Sequence, residues 1–200
     1  MVFKKNLMLK TFFFINFFIL LLSGCTYQYN NSIDSNRANV DKIDLNVNSF
    51  EIKKNNLNDL KNKNELGNLI NKKVLKNFED WVLIKFSISG DQSKSYLNIL
   101  KIDTSLMQKK PEKKSIFSII EEKKNIYTCL LTFDLIFANN KGLSKILKVS
   151  SNIDIVLLNS FSINDKDKVI TNEINKLIQL IDEKVTEQLN EDAFKEFIIN

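Results

Sequence analysis

Two sulfur nucleophiles, Cys25 and Cys129, are the most reactive side chains in this sequence, and no further cysteine or any histidine accompanies them. Histidine is the side chain whose ordinary pKa places proton transfer near neutrality. Its absence rules out Ser-His and Cys-His nucleophilic catalysis and removes the commonest zinc ligand. The carboxylates, serines and lysines form no paired constellation of acid and base, so the sequence predicts no enzyme, no catalytic residue, no metal site and no cofactor. Cys129 falls in an apolar alternation with Tyr127 and Leu131. A thiol buried without a cationic neighbour stays protonated, so Cys129 reads as a small core residue rather than a reactive group. Cys25 stands elsewhere, in FFFINFFILLLSGCTYQYNN, residues 12–31, where hydrocarbon gives way to polar chain within four positions. That placement leaves three readings: a membrane span, a core segment, or a removable address.

The apolar run from Thr11 to Leu22 covers ~18 Å as a helix, short of the ~20 residues a bilayer span needs. Ahead of it stand Lys4, Lys5 and Lys10 with no acid, the charged start of a secretory signal. Behind it comes Leu22-Ser23-Gly24-Cys25, which resembles the bacterial lipobox. The resemblance implies diacylglycerol on the Cys25 sulfur, signal cleavage between Gly24 and Cys25, and acylation of the new amine, palmitate among the chains. An ordinary signal peptide or an uncleaved short anchor is the alternative. Acyl chains contribute ~0.8 kcal/mol per buried methylene, so two or three of them hold a protein on a membrane. Thr26 follows the cysteine. By analogy with Gram-negative sorting, where Asp at that position retains lipoproteins in the inner membrane, Thr26 favours the periplasmic face of the outer membrane.

Removing residues 1–24 takes three lysines and no acid from a chain of 29 basic and 24 acidic residues, leaving 26 against 24. A mature charge near zero gives no footprint for nucleic acid. Residues 25–42 are polar and read as a lipidated flexible tether. Tyr27 and Tyr29 within it suit either the headgroup level or plain unstructured chain. Residues 43–200 are long enough for one domain with its own core.

Ile43, Leu45 and Val47 alternate with polar residues as a half-buried strand, and the phase shifts at Ser49, where a bulge or strand end is expected. Leu66, Ile70, Val74, Phe78, Trp81 and Ile84 or Lys85 then keep helical spacing to about Phe86, although 82–88 also alternates as a strand would. Leu100, Ile102, Thr104 and Leu106 mark a second strand. Tyr127 to Phe137 and Leu147 to Leu157 mark two more, joined by Asn139-Asn140-Lys141-Gly142 as an antiparallel hairpin. From Asn164 a helix of about 30 residues carries Ile170, Ile174, Leu177, Ile181, Val185 and Leu189 on one stripe. It is longer than a four-strand sheet is wide. Its end, with Phe194, Phe197, Ile198 and Ile199, therefore either meets a partner or membrane or tucks under the sheet.

The expected fold is α+β: an antiparallel sheet of about four strands with two helices on one face, in the order β-α-β-β-β-α. Lipobox, polar tether and helix-covered sheet resemble, in architecture, the lipopolysaccharide-assembly lipoprotein. The run from Phe78-Glu79-Asp80-Trp81 through Asn125-Ile126-Tyr127 to the last helix is similar to an uncharacterised group of alphaproteobacterial lipoproteins. The first resemblance implies a structural component of a translocon in contact with lipopolysaccharide. Lys109, Lys110, Lys113, Lys114, Lys123 and Lys124 are the basic residues available for such contact, or form a solvated loop. The expected function is a membrane-anchored, non-catalytic accessory or binding component of an envelope assembly, with an envelope protein partner. The alternative is a lipid- or glycolipid-binding module whose sheet and long helix enclose an acyl cavity.

Overall fold

A computed structural model describes residues 40–54, 64–91, 93–107, 123–139, 142 and 144–199. The chain runs β1 (Ile43–Leu45), β2 (Ser49–Lys53), α1 (Glu65–Lys85), β3 (Phe86–Ile88), β4 (Ser93–Met107), β5 (Lys124–Asn139), β6 (Ser144–Leu158), α2 (Ile163–Leu189), a 3-10 turn (Asp192–Phe197) and β7 (Ile198–Ile199). The class is α+β as expected, with α1 and α2 packed on one face of a sheet ordered β2-β4-β5-β6.

The β5–β6 hairpin forms as its sequence predicts. Pairing runs from Lys124 opposite Leu158 to Ala138 opposite Ser144. Gly142 takes φ 80°, where a side chain would be strained, and donates its N–H to the Asn139 carbonyl. The rows Tyr127, Cys129, Leu131, Phe133, Leu135, Phe137 and Leu147, Val149, Ile155, Leu157 are buried under the helices. Phe78 of α1 lies on Phe133 with ring centroids 4.7 Å apart.

Of the bulge or strand end expected at Ser49, the structure has a strand end within the stretch 43–53, and other expectations need correction. That stretch divides at Asn46–Asn48: β1 joins a small sheet ordered β3-β1-β7, while β2 joins the large one. Both halves are half-buried, so the same alternation serves either neighbour. The large sheet is not wholly antiparallel, because β2 pairs parallel with β4, Ser49 opposite Lys94. The connection between them passes through α1, which returns the chain to its starting end, as any helical crossover does. Leu100 does not share the face of Ile102. The β4–β5 register shifts between Ile99 and Lys101, and the extra residue, Leu100, turns outward.

At the C-terminus the second of the two expected alternatives holds, the end tucking under the sheet. α2 packs along β6, and strands of 15 or 16 residues reach ~50 Å, more than the ~40 Å of a 27-residue helix. The relevant dimension is strand length rather than sheet width, so nothing overhangs. Phe194 and Phe197 fold under the sheet onto Phe137, with centroids 5.9 and 5.0 Å away. Ile198 pairs with Leu45 in β7, and Ile199 is exposed.

α1 ends at Lys85 and β3 begins at Phe86, so helix and strand abut within the ambiguous stretch. Beyond β3, Gly90 donates its N–H to the Val47 carbonyl at 3.2 Å. A Cβ there would sit 2.5 Å from the carbonyl carbon of Asn46. Gly90→Ala must therefore push two backbones apart, and urea unfolding should show a loss of about 2 kcal/mol.

Candidate functional site

The residues singled out for lipid chemistry, Gly24 and Cys25, lie outside the described residues, as do Thr26, Tyr27, Tyr29, Lys109, Lys110, Lys113 and Lys114. Lys123 and Lys124 are described and exposed at the head of β5. Among the described residues no group of His, Cys, Asp and Glu is arranged to hold a metal ion.

The most charged interior site is one the sequence pattern hides. Lys85 occupies the last position of the apolar stripe of α1 and is fully buried. Its Nζ donates to Asp182 Oδ1 at 2.9 Å and to Thr186 Oγ1 at 2.8 Å, both on α2. Asp182 Oδ1 also accepts the indole N–H of Trp81 at 2.8 Å. Spacings of four residues on each helix put Trp81 with Lys85 and Asp182 with Thr186 one turn apart, so the two helices meet through a matched pair of rungs. Lys73 and Asp167 form a further ion pair at 2.5 Å near the start of α2. Both pairings advance together along the chain, so α1 and α2 run in the same direction. The signal available in the sequence was a lysine on an otherwise apolar stripe.

Cys129 is buried in the core as expected. Burial pushes its thiol pKa up, with Asp103 adding to the rise and a hydrogen bond with Thr104 opposing it. Thr104 Oγ1 donates to Asn71 Oδ1 at 2.6 Å, which joins β4 to α1. These groups stabilise packing and leave the sulfur in its protonated form.

The other face of the large sheet has no helix over it among the described residues. Tyr96, Ile136 and Ile146 stand in one row across three strands, and Met107, Ile126 and Val156 in another. Met107, Ile146 and Val156 are 56%, 49% and 40% exposed. Between these two rows lie four others, Asn98–Asp134–Lys148, Lys101–Thr132–Ser150, Asp103–Leu130–Asn152 and Ser105–Thr128–Asp154, so the face is apolar toward its two ends and mainly polar across its middle. Lys53 lies over the Tyr96 ring, 3.8 Å from its centroid. In β5 the outward phase is mixed, with Ile126, Leu130 and Ile136 standing among Thr128, Thr132 and Asp134, and those three apolar residues are the sequence signal for this surface.

No family model matches the sequence, and no curated protein matches it significantly. The solved structures similar to it include bacterial lipoproteins. A minor lipoprotein from Acinetobacter baumannii shares 10% identity over 70% of this chain and 88% of its own, with a TM-score of 0.37. The rare lipoprotein B from Shewanella oneidensis shares 9% identity over 74% of this chain and 99% of its own, also at 0.37. A lipoprotein from Caulobacter crescentus shares 10% identity over 70% of this chain and 86% of its own, at 0.31.

The helix–helix rungs make a direct prediction. Asp182→Ala strands a buried ammonium and should cost about 3 kcal/mol in urea unfolding. Lys85→Met should cost less, about 1 kcal/mol, because Asp182 keeps the Trp81 N–H and some water while the methionine fills the apolar stripe.

Proposed function

We propose that this chain is a lipid-anchored protein of the bacterial envelope, with residues 1–24 as a cleaved leader, residues 25–42 as a tether, and residues 43–200 as the working domain. The observation that carries this reading is local: Lys4, Lys5 and Lys10, an apolar run too short to span, then Leu22-Ser23-Gly24-Cys25. Among the described residues no helix is long and apolar enough to cross a membrane. Thr26 supports the outer membrane over the inner.

Within the envelope the domain acts as a non-catalytic accessory or binding component of a protein assembly. The support for this is the uncovered sheet face, which exposes Met107, Ile146 and Val156 in apolar rows toward its two ends, on either side of a mainly polar middle. An acyl cavity between sheet and helices is the weaker reading, since Phe78, Phe133, Phe137 and Phe197 occupy that space ring against ring.

Growth on labelled palmitate should mark this polypeptide, and Cys25→Ser should abolish the label and leave the leader attached. Label persisting in Cys25→Ser would end the lipid reading. Detergent extraction of the wild-type membranes should yield the chain together with an envelope protein. Substituting Ile146 and Val156 by Glu should release that protein while the fold stays intact; retention of the partner would remove the sheet face from consideration.

A further inference from the structure

β6 closes the large sheet, and its far side pairs with no strand among the described residues. A strand's backbone groups point alternately to its two edges. Asn159, just past the end of β6, donates its N–H to the Lys123 carbonyl at 3.0 Å, which assigns odd-numbered residues to the β5 side. Even-numbered residues, from Ile146 to Val156, therefore aim their N–H and C=O groups off the edge. The Ser150 carbonyl agrees with this phase. It accepts a hydrogen bond from Lys184 Nζ of α2 at 2.9 Å, and the same ammonium lies 3.5 Å from Ser151 Oγ.

An open edge of 15 residues is a template for another strand, and the sequence of this one is self-complementary. Turned antiparallel about Ser151, a second β6 sets Lys148 against Asp154, Ile146 against Val156 and Ser150 against Asn152. On the helix-facing side it sets Leu147 against Ile155 and Val149 against Ile153. The first three pairs are all even-numbered, so each presents free backbone groups to its mate. Moving the dyad by one residue preserves that phase but opposes Ile146 to Asp154, or Lys148 to Val156. Only the register centred on Ser151 satisfies charge with charge and apolar with apolar. Lys184 stands at that dyad. Its ammonium holds the central outward carbonyl, and pairing would bring two such ammoniums together.

We propose that the β6 edge is a pairing surface for a second copy of this chain, in the register centred on Ser151, and that Lys184 keeps it closed. The test uses the full-length chain in detergent, followed by sedimentation velocity and amide hydrogen exchange. The wild type should be monomeric, with rapid exchange at Ile146, Lys148, Asn152 and Asp154. Lys184→Ala should dimerise at least ~tenfold more tightly and protect those four amides. Adding Asp154→Lys should weaken the dimer ~tenfold, and adding Lys148→Asp as well should restore it. Lys148, Asp154 and Lys184 are exposed, and unchanged exchange in β5 serves as the check on folding for each variant. A Lys184→Ala protein that stays monomeric with open amides, or a dimer indifferent to the charge exchange, overturns the proposal.

Discussion

The rest of the molecule depends on covering one face of β5. This strand sits inside the large sheet, and from Tyr127 to Phe137 every second side chain points to the same side and is buried. Removing a side chain as large as Phe from water contributes roughly 1.5–3 kcal/mol, so leaving that row uncovered would cost much of a small domain's stability. α1 and α2 supply the cover. Phe78 reaches Phe133 from α1, and the turn after α2 brings Phe197 onto Phe137.

Two helices lying side by side on one sheet must still be set in register, and apolar stripes alone tolerate sliding. The Lys85, Asp182, Trp81 and Thr186 contacts remove that freedom. A buried ammonium is costly without its partners, and satisfied only when α1 and α2 align to within one turn. The small sheet acts similarly at the chain ends. β1 lies between β3 and β7, with Asp44 accepting a hydrogen bond from Ser87 Oγ, so the entry to the domain is tied to both the end of α1 and the end of the chain.

This economy leaves the sheet one-sided. Both helices are spent on the inner face, while the outer face and the edge of β6 retain apolar side chains and backbone groups without cover among the described residues. Under the proposed lipid anchorage such surfaces are where encounters with neighbours would happen, and Lys184 shows one way in which an edge is kept from indiscriminate pairing. The proposed anchor and the surface are thus separable: the first rests on about four residues and their flanks, the second on three strands brought together.

The sequence by itself determined whatever depends on short spacing. Leu22-Ser23-Gly24-Cys25 is read from adjacent residues, the six-residue stripe of α2 from the helical period, and the β5–β6 hairpin from two alternations joined through Gly142; the stripe and hairpin stand in the structure as spaced. Tertiary structure decided whatever depends on which element comes to lie beside which. Alternation is the same for a parallel and an antiparallel neighbour, so only the crossover through α1 makes β2 parallel to β4. A single extra residue in a ladder is defined by its partner strand, so Leu100 turned outward without a local sign. The choice between Ile84 and Lys85 as the end of the α1 stripe stayed open in the sequence because the carboxylate that makes burial of Lys85 tolerable lies 97 residues further along, at Asp182. Periodicity records how much of a side chain is covered, and is silent about what covers it.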